Sequence, residues 1–346
     1  MSGTSMDGLD ISYCRYNFDN QAWTFSIVST NSITYPPELL QKLKESSFFS
    51  ARDLLLLDKE IGLFFANEVN SFLKEGKIDS SEVDAICSHG HTIFHQPELG
   101  YTHQIGCGET IAYKTKIKVL NDFRQKDVVA GGQGAPLVPI GDQLLFSNEA
   151  DTFLNLGGFA NCTSIQNNKV SAFDICPANL PLNRIVQETG LEFDRNGEIS
   201  SRGQIDSTVL EKLNNLPFYT ENGPKSLGTE WLNESFMPLL KNIKANEDKL
   251  ATSTEHIAIQ IGKTLNEIGA KKTFVSGGGV KNDFLLKRIK HYTNSQLTKP
   301  SLEIIDYKES IIFGFLGALY FEHKSNSLSS VTGAQHNTTG GVLHIP

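Results

Sequence analysis

Several common signatures are missing from the sequence. It has no run of about 18 apolar residues and no charged-then-apolar leader, so we expect neither a membrane span nor a secretion signal. Its 31 lysines and arginines are outnumbered by 39 aspartates and glutamates, and the net charge of −8 argues against a nucleic-acid-binding protein. The five cysteines show no C-x-x-C spacing, which favours free thiols in a reducing cytoplasm over a disulfide framework.

Two nucleotide-binding fingerprints are also absent. The chain contains neither G-x-x-x-x-G-K-[S/T] nor G-x-G-x-x-G, so it is neither a P-loop protein nor a Rossmann protein. An acidic chain can still bind ATP, because the backbone N–H groups of a tight turn hold phosphates without any basic side chain.

Strand and helix patterns alternate along the chain, which predicts an α/β fold. Residues 9–33 predict a hairpin with its turn at "FDNQ", and residues 51–76 predict a helix with an apolar face. A second hairpin series begins at "DTFLNLGG". Near the C-terminus "LEIID" predicts a strand, and Thr252 with Glu255 predicts a capping box at the start of a long helix.

The length of 346 residues exceeds what one hydrophobic core usually serves, so we expect two lobes with a cleft between them. The first lobe is predicted to comprise residues 1–138 and 325–346, and the second residues 139–324. The C-terminal tail from residue 325 is thus expected to return to the first lobe.

Three glycine turns are candidates for phosphate or nucleotide contacts. The first is "GTSMDG", where Gly3 and Gly8 allow a tight turn, Thr4 and Ser5 add donors, and Asp7 can hold Mg²⁺ through water. The second is "NLGG", with Asn155, Gly157 and Gly158, and the third is Gly277–Gly279 at the end of a strand. Structural alternatives are a plain hairpin turn, a bulged hairpin, and a strand-to-helix connection capped by Asn282 or Asp283.

One acidic residue stands where a catalytic base would be expected. Asp174 ends the hydrophobic strand "VSAFD" shortly before Pro177 and a predicted helix. A carboxylate in that position can take a proton from a nucleophile as a general base. The alternative is that Asp174 caps the helix that follows.

The order of these features resembles the actin, Hsp70 and sugar-kinase group, whose two lobes are ribonuclease-H-like with mixed sheets flanked by helices. The segments "MSGTSMDGLD", "SHGHTIFHQP", "NDFRQKDVVAGGQGAPLVP", "NLGGFANCTSI", "KSLGTEWL" and "VSGGGVKNDFL" further resemble the anhydro-N-acetylmuramic acid kinase family over nearly the whole chain. The resemblance implies a cytoplasmic, ATP- and Mg²⁺-dependent enzyme of cell-wall sugar recycling, with a homodimer possible. The resemblance implies that this enzyme opens the 1,6-anhydro ring of anhydro-N-acetylmuramic acid with water and phosphorylates O6.

The resemblance also implies roles for individual residues. Asp174 is the catalytic base, and Glu309 is a second carboxylate at the sugar. The ATP phosphate turn is Gly3, Thr4, Ser5, Met6, Asp7, Gly8, Leu9 and Asp10, and Asp7 is the metal ligand. Asn155, Gly157, Gly158, Gly277, Gly278 and Gly279 complete the ATP site. The expected substrate-binding residues are His91, Asp122, Arg124, Gln133 and Asn179.

The role of Arg124 has two interpretations. Its guanidinium can pair with the lactyl carboxylate of a muramic sugar, or it can form a structural ion pair with Asp122 or Asp127. His89 and His91 form an H-x-H pair that is compatible with a metal site, but no cysteine or carboxylate stands at matching spacing.

Two departures from the family pattern bear on function. It has "DICPAN" from Asp174 to Asn179 where the family shows Asp-Thr-Gly-Pro-Gly-Asn, so a kinase for another amino sugar with a reshaped pocket is an alternative. A non-catalytic, Hsp70-like ATP-binding module is another. The family carries a strand ahead of the first glycine turn, and here Met1 falls at the turn. We expect that the missing strand leaves neighbouring backbone groups unpaired and loosens that turn.

Overall fold

The computed structural model describes residues 1–3, 6, 8–167, 169–221 and 225–346. The strands are β1 (Leu9–Asp19), β2 (Ala22–Ile33), β3 (Ile86–Cys87), β4 (His91–Gln96), β5 (Tyr101–Ile105), β6 (Val119–Asn121), β7 (Thr152–Leu156), β8 (Phe159–Gln166), β9 (Lys169–Pro177), β10 (Lys272–Ser276), β11 (Gln296–Thr298) and β12 (Val342–His344). In the described ranges no helix is both long and apolar enough to cross a membrane.

The α-helices vary from single turns to 25 residues. They are α1 (Pro37–Glu45), α2 (Ala51–Glu75), α3 (Gly108–Thr115), α4 (Gln125–Val129), α5 (Pro139–Leu145), α6 (Asn179–Gln187), α7 (Ser207–Asn214), α8 (Thr229–Trp231), α9 (Met237–Leu240), α10 (Asn246–Glu267), α11 (Asp283–Tyr292), α12 (Leu302–Phe321) and α13 (Ser329–Thr332). A π-helical segment, Leu232–Phe236, joins α8 to α9.

The chain divides into two compact units. The first comprises Met1–Leu145 and Tyr307–Pro346, and the second comprises Phe146–Asp306. The first unit therefore takes in residues 139–145 and 307–324, which the sequence analysis assigns to the second lobe. Helix α12 explains much of the difference, because its residues from Tyr307 onward contact the first unit, as the 2.5 Å bond from the Tyr16 hydroxyl to the Ile311 carbonyl shows.

The second unit is built on a five-stranded mixed sheet in the order β11-β10-β7-β8-β9. Strands β7, β8 and β9 are antiparallel neighbours, whereas β10 and β11 run parallel to β7. Apolar residues from the sheet pack with helices such as α6, α10 and α11 into one core. This arrangement of a three-stranded meander followed by two parallel strands confirms the expected ribonuclease-H-like fold for this unit.

The first unit contains the predicted N-terminal hairpin and long helix. Strands β1 and β2 pair over their full length, and Asn20 and Gln21 at the turn both have positive φ, as a two-residue hairpin turn requires. Helix α2 begins after Ser50, whose side chain accepts a bond from the Asp53 N–H. Its residues Leu57 and Ile61, four positions apart, are buried in the core of this unit.

The sheets of the first unit leave a groove beside β1. Strands β1 and β2 form one sheet and β12-β6-β3 form another, and within the described ranges no strand joins them. A groove of about 1040 Å³ is lined by consecutive residues 9–18 of the β1 side and 82–88 of the β3 side. Met1 lines its end and exchanges two backbone bonds with Asp10, from the Met1 amine to the Asp10 carbonyl at 2.6 Å and from the Asp10 N–H to the Met1 carbonyl at 2.9 Å.

Two sequence-based expectations are wrong. The segment "LEIID" opens helix α12 and is not a strand, because a short apolar run does not distinguish a strand from a buried helix. Thr252 and Glu255 do not form a capping box, because α10 already begins at Asn246. Thr252 instead accepts a bond from the Asp206 N–H at 3.0 Å, and Glu255 accepts two 2.6 Å bonds from Arg288.

Candidate active site

Three polar residues lie side by side across the sheet of the second unit. Asn155 on β7 is paired with Asn161 on β8, and Asn161 is paired with Asp174 on β9. Directly opposed residues of antiparallel strands point to the same face, and two strand spacings separate Asp174 from Asn155 by about 10 Å. The second glycine turn and the predicted base therefore share one region of the sheet.

Asp174 lies at an irregularity in its strand. The pairing of β8 with β9 shifts between Ala160 and Asn161, so that Ile175 is the extra residue of a β-bulge. The Asp174 N–H donates to the Lys225 carbonyl at 2.9 Å. Asp174 does not cap α6, whose N-cap is Ala178, so the structural alternative for this residue does not hold.

The carboxylate of Asp174 is half-buried and only partly bonded. Its Oδ2 accepts a bond from the Leu227 N–H at 2.8 Å, and the described residues offer its Oδ1 no donor. Burial raises the pKa of this carboxyl group, and the bond from Leu227 opposes the rise. A carboxylate that is held at one oxygen, open at the other and made more basic suits proton abstraction. Leu227 was given no role in the sequence analysis although it lies in the segment "KSLGTEWL", because a backbone donor is not visible in the type of its side chain.

The second and third glycine turns meet in the second unit. Gly277 has φ +83°, and a Cβ there would lie 2.4 Å from Asn155 Oδ1, so only glycine fits. Asn179 joins the same cluster, since its Nδ2 donates to the Leu156 carbonyl at 2.9 Å and its N–H to the Gly157 carbonyl at 3.1 Å. Gly158 and Gly278 are exposed and leave backbone accessible to a ligand.

One of the structural alternatives for these turns is present, since Asn282 caps α11 by accepting a bond from the Leu285 N–H at 2.9 Å. The hairpin that the second turn joins is not bulged, because β7 and β8 pair in regular register and the bulge lies between β8 and β9. The cap of α11 does not use the exposed glycine backbone of the turns. The predicted contacts of Asn155, Gly157, Gly158 and Gly277–Gly279 with ATP remain predictions.

The first glycine turn belongs to the first unit and is only partly described. Thr4, Ser5 and Asp7, predicted to bind phosphate and metal, lie outside the described residues. The Met6 N–H donates to the Gly3 carbonyl at 3.1 Å. Gly8 approaches the Ile33 carbonyl so closely that a Cβ would lie 2.3 Å from it. Leu9 is buried in the core, so it offers a ligand only its backbone.

Arg124 and Glu309 form the charged centre of the first unit. The guanidinium of Arg124 donates through Nε to His89 Nε2 at 3.0 Å and through Nη1 to the Gly134 carbonyl at 2.8 Å. Burial lowers the pKa of Arg124 to about 10, and the Glu309 charge opposes this effect. Neighbouring protein displaces part of the water around the Glu309 carboxyl group and so raises its pKa, and the positive charges of Arg124 and Lys308 oppose the rise. The Glu309 side chain still reaches solvent.

Among the described residues Arg124 forms an ion pair with neither Asp122 nor Asp127, and its guanidinium bonds to His89 and Gly134 instead. Asp127 is fully buried and accepts bonds from the Gly134 N–H, Ser327 and Thr332 at 2.6–2.8 Å. It therefore holds the glycine-rich segment 130–134 against the C-terminal tail. The tail partners are some 200 residues away in sequence, so no local pattern predicts this role.

The remaining predicted sugar ligands are dispersed in the first unit. Gln133 is exposed, and Asp122 is half-buried with a pKa raised by burial, against a bond from the Gln125 backbone. His91 is buried, and its Nδ1 lies 2.8 Å from the Ser2 hydroxyl. The contacts of these residues with substrate remain predictions.

The described part of the chain contains no cluster of side chains that could hold Mg²⁺ by itself. No group of three or more histidine, cysteine, aspartate or glutamate side chains is placed there to hold a metal ion. Mg²⁺ in phosphoryl-transfer enzymes is held by one or two carboxylates together with the phosphates, so such a group is not required. The candidate carboxylate, Asp7, lies outside the described residues.

Comparisons with known proteins place the chain in a family. The sequence model of one family, described as anhydro-N-acetylmuramic acid kinase, matches residues 1–346. A relative of that name from Haemophilus influenzae is 32% identical over 372 residues, covering 99% of this chain and 96% of the relative. One from Shewanella amazonensis is 35% identical over 362 residues, with the same two coverages.

Among solved structures, a similar one is an activator of 2-hydroxyisocaproyl-CoA dehydratase from Clostridium difficile with bound ADPNP. It is 12% identical, has a TM-score of 0.41, and the match covers 90% of this chain and 97% of that one.

The sequence comparisons, the mixed α/β units and the paired glycine turns define the class as sugar kinases. Within that class, the chain belongs to the anhydro-N-acetylmuramic acid kinase family.

Proposed function

We propose that the chain opens the 1,6-anhydro ring of anhydro-N-acetylmuramic acid with water and transfers the γ-phosphoryl group of ATP to O6. Water attacks C1, the bond from C1 to O6 breaks, and O6 attacks the γ-phosphorus while ADP leaves. The products are N-acetylmuramate 6-phosphate, ADP and one proton. Membership of the family supports this reaction, and the position of Asp174 is the observation that carries its assignment to residues.

Asp174 is the general base of this reaction. Its open Oδ1 takes the proton from the attacking water, while the Leu227 N–H keeps Oδ2 in place. A base held by one fixed donor loses little orientational freedom when substrate binds. The raised pKa brings its basicity closer to that needed at neutral pH.

Arg124 and Glu309 act at the sugar. Two N–H groups of Arg124 are occupied by His89 and Gly134, and no described residue accepts from the remaining Nη edge. A planar Nη edge suits bidentate pairing with a carboxylate, and the lactyl group of a muramic sugar supplies one. Glu309, exposed in the first unit, is available to accept a sugar hydroxyl bond.

The glycine turns are the nucleotide site of the proposal. Exposed backbone at Gly158 and Gly278 binds phosphate or adenosine, and Asn155 and Asn179 support these turns. Asp7 would hold Mg²⁺ together with the nucleotide phosphates, and the ion would neutralise phosphate charge. The proposal also includes a cytoplasmic location and a homodimer. Only the family resemblance supports these two points.

The substrate is tested by ADP release with ATP, Mg²⁺ and a panel of sugars. We expect a signal with anhydro-N-acetylmuramic acid and none with N-acetylmuramic acid or N-acetylglucosamine. Arg124→Met is expected to raise KM for the anhydro sugar about tenfold or more, since a charged hydrogen bond is lost. The same sugar without its lactyl group is the control, because its KM should not change in that variant.

The panel also separates the alternatives. A signal only with an ordinary amino sugar would show that the pocket near "DICPAN" has changed specificity. Nucleotide binding without turnover on any sugar would indicate a non-catalytic module. Either outcome contradicts the proposed reaction.

The pH dependence of kcat/KM tests the base directly. Activity requires ionised Asp174, so it is expected to fall as pH drops through the pKa of that carboxyl group. Burial raises this pKa, so the acidic limb should lie above the usual aspartate value of about 3.9. Glu309→Gln should leave the position of the limb unchanged even if it lowers the rate. Activity that stays constant down to about pH 4, with the protein still folded, contradicts the assignment.

A further inference from the structure

His89 is a buried histidine whose two ring nitrogens are both engaged. Its Nε2 lies 3.0 Å from Arg124 Nε, and its Nδ1 lies 2.9 Å from the Gly90 carbonyl and 3.3 Å from the Ser2 carbonyl. Arginine Nε carries a hydrogen and only donates, so Nε2 must be the acceptor. The ring proton is therefore on Nδ1, where it donates to the carbonyls.

The surroundings of His89 keep the ring neutral, as this arrangement requires. Burial lowers its pKa well below the usual value, and the positive charges of Arg124 and the chain's amino group lower it further. The bonds to the Gly90 and Ser2 carbonyls oppose these effects. A neutral ring that accepts from Arg124 is stable next to this cation, whereas an imidazolium would repel it.

Arg124 is held on the side away from its open edge. The Nε bond to His89 and the Nη1 bond to the Gly134 carbonyl, at 3.0 and 2.8 Å, fix the plane of the guanidinium. Phe313 contacts both partners, with its ring centroid 5.8 Å from the Arg124 guanidinium carbon and 4.7 Å from the His89 ring. The direction of the remaining Nη edge is therefore set by His89, Gly134 and Phe313 together.

We propose that His89 is a positioning residue that holds Arg124 in the orientation needed to bind the carboxylate of the sugar. This rests on the proposed function, in which Arg124 pairs with the lactyl carboxylate. Bidentate recognition depends on the plane of the guanidinium, so a side chain that fixes this plane contributes to affinity without touching the sugar. His89 therefore determines specificity for the acidic sugar through Arg124.

Two substitutions at position 89 test the proposal. His89→Leu places an apolar side chain beside Phe313 and removes the acceptor for Arg124 Nε. His89→Gln places an amide oxygen near the position of Nε2 and restores that acceptor. Dissociation constants are measured by calorimetry for the anhydro sugar and for the same sugar without its lactyl group. His336→Leu, in an exposed loop of the same unit, is the matched control.

We expect His89→Leu to weaken binding of the lactyl sugar about tenfold or more and to change binding of the truncated sugar less than about twofold. His89→Gln should recover most of the loss, and His336→Leu should bind both sugars normally. A merely structural role of His89 predicts equal losses for both sugars and no recovery with glutamine, and that result overturns the proposal.

A double-mutant cycle with Arg124→Met separates this proposal from the proposed function. If His89 acts through Arg124, His89→Leu should have little further effect in the Arg124→Met background. Additive losses overturn the positioning role while leaving Arg124 as the carboxylate ligand. If Arg124→Met itself binds the lactyl sugar normally, the sugar-binding role of Arg124 fails and the positioning role fails with it.

Discussion

Replacing Asp174 with asparagine is expected to lower kcat about a thousandfold while nucleotide affinity changes less than about twofold. Asparagine has nearly the same shape as aspartate, but its amide cannot take a proton from the attacking water. Its side-chain oxygen can still accept the bond from the Leu227 N–H, so the local structure is retained. The loss therefore reports proton abstraction and not misfolding.

The experiment combines single-turnover kinetics with nucleotide binding and thermal melting. Glu211→Gln, an exposed acid-to-amide change in the same unit, is the matched control and should have normal kcat. Binding of the anhydro sugar should persist in Asp174→Asn, since the base acts mainly in the transition state. A kcat within tenfold of normal would remove Asp174 from the role of base.

Adding an apolar strand ahead of Met1 is expected to raise the melting temperature by about 5 °C or more and to tighten ATP binding. The groove between β1 and β3 is lined on one side by residues of α2, including Phe65 and Phe72, and on the other by Gly314 and Ala318 of α12. A strand in this groove is covered on both faces, so an uninterrupted run of valine and isoleucine suits it.

The register of the added strand follows from Met1. The two bonds between Met1 and Asp10 are those of a hydrogen-bonded antiparallel pair, so residues preceding Met1 would continue alongside Ile11, Ser12 and Tyr13. Burial lowers the pKa of the terminal amine from 8.0 to about 6, against the charges of Asp10 and Glu309. Adding residues ahead of Met1 converts its buried amine into a peptide N–H, which removes the cost of burying that charge. The added strand also holds the backbone in place where it enters the first glycine turn.

The gain in stability should depend on pH. An amine whose folded pKa is depressed destabilises the folded state progressively as pH falls from about 8 to about 6, since the unfolded state binds the proton more readily. The difference in melting temperature between the extended and original chains should therefore grow over that range. The control is an extension of equal length with prolines at the pairing positions, which cannot complete the ladder. Equal melting temperatures and equal ATP affinities for the two extensions would contradict the expectation.

Local patterns predicted those elements whose cause is local. The apolar spacing of Leu57 and Ile61 predicted helix α2, and the turn residues Asn20 and Gln21 follow the predicted hairpin. "LEIID" was ambiguous because its apolar run suits a strand or a buried helix equally, and the long apolar continuation from Ile311 to Phe321 belongs to the same helix. The Thr252 and Glu255 pattern was misleading because its side chains have distant partners, Asp206 and Arg288.

The sequence by itself determined the family, the two-unit α/β organisation and the identity of the candidate base, because these depend on motifs and on the period of apolar residues. Only the tertiary structure decided what each candidate contacts. The row from Asn155 to Asp174, the Leu227 donor and the bond between His89 and Arg124 join residues that are far apart in the chain. Such contacts depend on strand register and packing, which no local spacing of residues encodes.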